Sequence, residues 1–328
     1  MRFQKDAENE KAASPDAEGI TVDGDGYVYL ACERDNSAKG VNYNTILKVD
    51  PKAEGTDLIA MQEWNLTESL PQVSANMGME AVEWVANAEV EGKLFDQNTN
   101  AAFDSSKYTN AVANGVFFVA LEDNGHAYAC VLNTDGSVVQ IADIDSKLAV
   151  QWRLIMIHND VLWVAADNGY NNMAANISFT GEAETNVVHV KPPSSVDVIL
   201  NYEGFAIAEA EYAVNGTRAV YRFQDGVTTG SLLIGSVAHR DASDDTTPPA
   251  DEDEENTNPP TDEEEKAPEN NVEESGNNDN NGETDTRVEA PQTGDDTNVI
   301  FYVIVIMLAT AFIAYRIKKN SIASWEKY

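Results

Sequence analysis

The stretch EGITVDGDGYVYLACERDN, Glu18 to Asn36, decides the fold. Two short apolar runs, GITVD (19–23) and YVYLAC (27–32), flank Asp23-Gly24-Asp25-Gly26. Asp and Gly supply the backbone conformations of a tight turn, so this is a β-hairpin. The same grammar runs outward along the chain. Strands are predicted at 45–49, 58–64, 79–85, 115–121, 127–132 and 137–144, then at 152–158, 161–166, 186–190, 205–210, 218–223 and 231–237. Asp123-Asn124-Gly125, Asp135-Gly136 and Asp225-Gly226 supply further turns. No segment of useful length with helical period occurs before residue 299.

The hairpin repeats. Glu18-Gly19-Ile20, Glu80-Ala81-Val82 and Glu203-Gly204-Phe205 each open a strand with Glu, a small residue and an apolar one. The next strand ends in a second signature: Glu33-Arg34-Asp35-Asn36, Glu122-Asp123-Asn124 and Asp167-Asn168. The unit at 152–190 has Arg153 near the place of the opening Glu. About four units of roughly 45–60 residues result, the size of propeller blades. The expectation is an all-β chain with about four blades of a β-propeller over residues 17–240. A β-sandwich is the competing arrangement, but it does not require acidic signatures at matched points of successive units.

The 328 residues carry a formal net charge of −35, unevenly spread. Residues 241–290 hold 19 acids against 2 bases, and residues 1–240 hold 34 against 15. So acidic a chain repels a phosphate backbone, which excludes nucleic acid as a partner. Residues 241–289 are rich in Asp, Glu, Asn, Pro and Thr. They bury too little apolar surface to offset the entropy of ordering, and like charges keep them extended. They read as a disordered spacer. From Val299 to Tyr315 there is no charge, and Arg316, Lys318 and Lys319 follow. A membrane helix over 299–317 fits the hydrocarbon thickness, and the basic cluster puts residues 320–328 on the cytoplasmic side. The N-terminal part then lies outside.

Ala290-Pro291-Gln292-Thr293-Gly294, the apolar span and the basic tail, in that order, resemble the sorting signal of Gram-positive cell-wall-anchored proteins. The resemblance implies that a sortase cuts between Thr293 and Gly294 and joins Thr293 to peptidoglycan. Ala290 stands where that family most often has Leu, which bears on the sortase class. A permanent single-span anchor is the alternative use of 290–319. Export also calls for an apolar leader, and the charged segment 1–16, MRFQKDAENEKAASPD, has none. Four units are also few for a closed propeller. The expectation is therefore a longer protein whose upstream part, on the order of 100 residues, holds a signal peptide and about two blades.

EGITVDGDGYVYLACERDN, with ILKVDP (46–51) and NYEGFAIAE (201–209), resembles the phytase-like, or esterase-like, β-propeller family. That resemblance implies a secreted propeller acting on phosphate or carboxylic esters, with metal dependence in some relatives.

In a propeller the innermost strand of each blade lines the axis, so matched residues of successive blades converge. Glu18, Glu80 and Glu203 are one such set, and Glu33, Glu122 and Asp167 another. Carboxylates gathered at one channel either rise in pKa or demand a cation, and calcium takes oxygen ligands of this kind. A bound calcium would activate water toward an ester, and Arg34 would serve an oxyanion. The alternatives are structural: Glu accepting backbone hydrogen bonds from a neighbouring blade, and Asp-Asn forming turns.

Other enzyme signals are weak. The four histidines lack metal-motif spacing, and no Gly-x-Ser-x-Gly elbow occurs. Cys32 and Cys130 are core thiols or a disulfide, with the former favoured. Trp64, Trp84, Trp152 and Trp163 read as packing between blades ahead of a sugar platform. Two functions are carried forward: a cell-surface binding or scaffold propeller, and a calcium-assisted ester hydrolase. A sugar or lactone hydrolase of another propeller family is a third.

Overall fold

The computed structural model describes residues 1–238 except 56, 149–151, 159–160 and 209–211; over 152–158 it describes the backbone. The spacer, the sorting signal and the span 299–317 lie outside the described residues. Among the described residues no helix is long and apolar enough to cross a membrane.

The described residues form four antiparallel sheets in sequence order, plus a small hairpin. The first sheet holds β1 (Pro15–Val22), β2 (Val28–Asp35), β3 (Thr45–Val49) and β4 (Gln62–Asn65). The second holds β5 (Met79–Ala86), β8 (Gly115–Leu121), β9 (His126–Leu132) and β10 (Val138–Asp145). The hairpin β6 (Phe95–Asp96) and β7 (Ala101–Ala102) sits between β5 and β8 in sequence. The third sheet holds β11 (Trp152–His158), β12 (Val161–Ala166), β13 (Ala174–Ser178) and β14 (Asn186–Val190). The fourth holds β15 (Tyr202–Ile207), β16 (Thr217–Gln224) and β17 (Leu232–Ala238). Each sheet is a meander, and the first strands meet in series: β1 with β5, β5 with β11, β11 with β15. Consecutive meanders touching along their first strands have the arrangement of propeller blades.

Burial on both faces explains the apolar runs. In β8, Val116, Phe118 and Ala120 pack toward the third sheet, with Leu162, Val164 and Ile177. Phe117, Val119 and Leu121 pack toward the first sheet, with Tyr29, Ile46 and Trp64. Side chains alternate across a strand, so a strand buried on both faces is apolar throughout, as GVFFVAL is. The Trp64 indole N–H donates to the Asn133 carbonyl at 2.8 Å, tying the first sheet to the second. Tyr29 lies 4.7 Å from the Phe117 ring, centroid to centroid. Cys32 and Cys130 are both free and buried, as core thiols. They occupy different places, Cys32 on the second strand of its sheet and Cys130 on the third.

Two departures from the expected strands have local causes. Residues 58–60 do not continue β4. They pair with the N-terminus, where Arg2 N–H bonds the Leu58 carbonyl and Ala60 N–H bonds the Arg2 carbonyl. Phe3 is thereby buried against Cys32, Leu47 and Ala60. Strand β13, AANIS, carries too little apolar weight to stand out in sequence; its pairing with β12 and β14 makes it a strand.

Gly19 marks a close approach of two sheets. A Cβ there would lie 2.7 Å from Ala81 Cα and 2.7 Å from Val82 N, both backbone atoms of β5. Gly19→Ala is expected to destabilise the fold by about 1–3 kcal/mol through overpacking. Urea unfolding measures it, with Gly26→Ala as the comparison, where φ is +85° but nothing lies within 4 Å.

Candidate functional site

The acidic signatures sit at matched points of the four sheets, and the register shows why. In the second sheet Met79 faces Leu121 and Ala81 faces Ala120, so Glu80 is the extra residue of a β-bulge. In the third sheet Trp152 faces Ala166 and Leu154 faces Ala165, leaving Arg153 as the extra residue. In the fourth, Tyr202 faces Gln224 and Gly204 faces Phe223, leaving Glu203. In the first, Ala17 faces Cys32 and Gly19 faces Ala31, leaving Glu18. A bulge bends the strand and re-aims the side chain it carries. Four bulges thus put Glu18, Glu80, Arg153 and Glu203 at one register point.

The second set follows from the same pairing. Cys32, Leu121, Ala166 and Gln224 are equivalent, so the residues after them are too: Glu33, Glu122, Asp167 and Asp225. Asp225 is the fourth member, which the sequence repeat did not single out. Its signal was present: an acid directly after the second strand of a unit. Glu33, Glu80, Glu122 and Asp167 are all buried.

The first sheet gathers its acids most tightly. Asp16 lies directly opposite Arg34, and Glu33 is skipped in the pairing of β2 with β1. Two offset residues, Glu18 and Glu33, are therefore squeezed beside an opposed Asp–Arg pair. One oxygen each from Asp16, Glu18 and Glu33 lies within 4.8 Å of the others. Arg34 is bound into this group, with Nη2 2.5 Å from Asp16 Oδ2 and Nη1 2.7 Å from Glu33 Oε1. Its Nη1 also reaches the Ala75 carbonyl at 3.2 Å and the Asn76 side-chain oxygen.

Gly78 links this group to the next sheet. Its N–H donates to Glu33 Oε2 at 3.3 Å, and its carbonyl accepts from the Glu122 N–H at 3.0 Å. A Cβ at Gly78 would fall 2.8 Å from Glu33 Cβ and 2.5 Å from Asn44 Oδ1, so the approach requires glycine. The Asn44 oxygen accepts the Met79 N–H at 2.9 Å. Burial pushes the Glu33 carboxyl up to about 7; Arg34 and the Gly78 N–H oppose the rise, and the Asp16 and Glu122 carboxylates add to it.

The oxygen donors suit a hard cation in type and spacing. The charge balance does not: Arg34 already supplies a fixed cation to two of the three carboxylates, and a metal would compete with it. At the Asp-Asn signatures turn formation is visible. Asp167 Oδ1 accepts the Gly169 N–H at 2.8 Å, Asn124 Oδ1 accepts the His126 N–H at 3.0 Å, and Asp35 Oδ1 accepts the Ser37 N–H at 2.7 Å. On the outer strands, His126 Nδ1 lies 2.5 Å from Asp143 Oδ1, and His189 Nε2 contacts the Ser146 carbonyl at 3.0 Å. The side chain of His158 and all of His239 lie outside the described residues.

No protein-family model matches the chain, and no curated protein sequence does. Among solved structures, it is similar to a fructofuranosidase from Schwanniomyces occidentalis complexed with fructose, at 12% identity and a TM-score of 0.41. That match covers 70% of this chain and 44% of the other, so the chain spans less than half the length of that protein. It is also similar to a periplasmic gluconolactonase of Pseudomonas aeruginosa, at 9% identity and a TM-score of 0.32, covering 69% of each chain. Likenesses this loose carry no functional argument; the four consecutive meanders are what support a propeller.

Glu33 gives the site a pH signature. Its folded pKa, about 7, lies above the ordinary 4.5. The folded state then holds the extra proton, so its stabilising share is complete below about pH 4.5 and is lost as pH rises through 7. The loss is on the order of 3 kcal/mol. Glu33→Gln removes this dependence. Thermal unfolding at pH 5 and pH 8 is expected to show a variant that gains on the wild type as pH rises; parallel pH profiles would contradict the assignment.

Proposed function

We propose that this chain is a surface-displayed binding module. A β-propeller is held out from a Gram-positive wall or membrane on an acidic stalk, and it contacts a ligand rather than transforming one. The observation that carries the choice of binding over catalysis is the commitment of Arg34. Its guanidinium is engaged by Asp16, Glu33, the Ala75 carbonyl and Asn76. A group meant for a developing oxyanion has donors aimed at the place where that charge appears. Here the two Nη groups are aimed inward, at the protein's own oxygens, while Nε is buried without a hydrogen-bond partner. Among the described residues no serine–histidine pair stands ready as nucleophile and base.

Display rests on the pattern of residues 290–319 and on the spacer before it. In this proposal a sortase acyl-transfers Thr293 to peptidoglycan and the span 299–317 holds the precursor in the membrane. Thr293→Ala is expected to move the protein from the wall fraction to the membrane fraction. Muralytic digestion of intact cells followed by immunoblotting reads the shift; wall linkage that persists in Thr293→Ala would overturn the anchor.

One observation favours the competing ester hydrolase: a buried carboxyl titrating near neutrality, Glu33, is what a general acid or base needs. In that case calcium held by Asp16 and Glu18 would polarise a phosphate or ester oxygen, with Glu33 beside it to move the proton. Generic phosphate and acetyl esters, assayed with calcium and with chelator, separate the two. The binding module shows no turnover above a Glu33→Gln control. Calcium-dependent turnover lost in Glu33→Gln would put the hydrolase in front.

The balance between Arg34 and a metal is testable by itself. Arg34→Gln leaves buried carboxylates without their cation, at a cost of about 3–5 kcal/mol. Calcium is expected to raise the melting temperature of Arg34→Gln more than that of the wild type. An equal or larger rise in the wild type would mean that the ion binds beside Arg34 rather than in place of it.

A further inference from the structure

The interface between the third and fourth sheets differs from the other two. The first and second sheets, and the second and third, meet through clusters of buried apolar residues. Between the third and fourth lies a cavity of about 320 Å³. Its floor follows from register. Arg222 on β16 faces Phe205 on β15 and Leu233 on β17, so the three share the sheet face that looks into the cavity. Trp163 on β12 closes the opposite wall, its ring 6.2 Å from Phe205, centroid to centroid.

Arg222 is the anomaly. It is 8% exposed. The Phe205 ring faces it, 4.9 Å from the guanidinium carbon. Among the described residues no carboxylate pairs with it, and the lining holds no acid at all. Burial lowers its pKa, with the Tyr202 side chain the one charge partner opposing the shift. Lys191, at the exposed rim, adds a second cation. In a chain with 56 acids, a pocket whose described lining carries two cations and no acid stands apart. A buried guanidinium without an anion is costly, and unfilled apolar walls forfeit dispersion contacts. One ligand removes both defects: an anionic head on Arg222 and an apolar body between Trp163 and Phe205.

We propose that the cleft between the third and fourth sheets binds a small apolar carboxylate, its carboxyl group on Arg222 and its apolar body against Trp163 and Phe205. Carboxylate suits the guanidinium fork, which donates two parallel hydrogen bonds to its oxygens. The cavity is at the small end for ligand sites, which limits the occupant to a compact molecule. The site is independent of the acidic end formed by Asp16, Glu18 and Glu33, so each stands or falls alone.

The probe pair is 3-phenylpropionate and its neutral amide, 3-phenylpropanamide, titrated calorimetrically into the full chain held in an uncharged detergent. The carboxylate is expected to bind at least about tenfold tighter than the amide. Arg222→Gln is expected to erase that preference while leaving the amide unchanged. Equal binding of the two probes would overturn the proposal, as would no heat from either up to about 10 mM. Should Arg222→Gln not fold, Lys191→Glu at the exposed rim serves instead. It is expected to weaken the carboxylate several-fold and spare the amide, and an unchanged carboxylate affinity would count against the site.

Discussion

Burial of both faces of a sheet is the constraint on which this molecule depends. A meander that covers one face leaves the other in water, and its row of Val, Phe and Leu must find a second neighbour. Strand β8 shows the requirement most plainly, with alternate residues entering two different cores. Stacking meanders face to face satisfies it, and touching along the first strands follows from packing twisted sheets around a common line.

Close packing at that line sets the local chemistry. First strands that approach to the contact distance of Gly19 with Ala81 have no room for ordinary side chains, which accounts for the small residue after Glu18 and after Glu80. The bulge at each opening position turns the acid out of the crowded pleat without breaking the strand. The same device leaves several carboxylates at one end of the sheets, mostly buried. That arrangement needs compensation, and Arg34 and the Gly78 amide supply it in the first sheet. Acids that look like ligands in sequence are thus partly held by the protein itself. A structural ion-pair network and a binding surface are compatible, because the network orders the end of the sheets that a ligand would meet.

Much of this was legible in residue order. Strand alternation, turn chemistry and the recurrence of Glu-small-apolar announced the sheets, because period and turn residues are local properties. Where local signals were weak the sequence misled. AANIS carries little strand signal by itself, and residues 58–60 look like part of a strand whose partner is in fact the N-terminus. Asp225 was hidden because its turn partner Gly226 gave it a sufficient local explanation. Arg34 next to Glu33 in sequence could have faced solvent or a ligand; only the skipped residue in β2 turned it onto Asp16.

The opening hairpin therefore determined by itself that the chain is built of short antiparallel strands in repeating units with acids at fixed points. Those features depend on neighbours a few residues apart. What the tertiary structure alone decided is which acids meet, which cation neutralises them, and that Arg222 lies in an apolar cleft facing Phe205 with no acid among the described lining residues. Such facts depend on which strand residues are offset by a bulge and which sheet faces which, and a one-residue shift in register changes both.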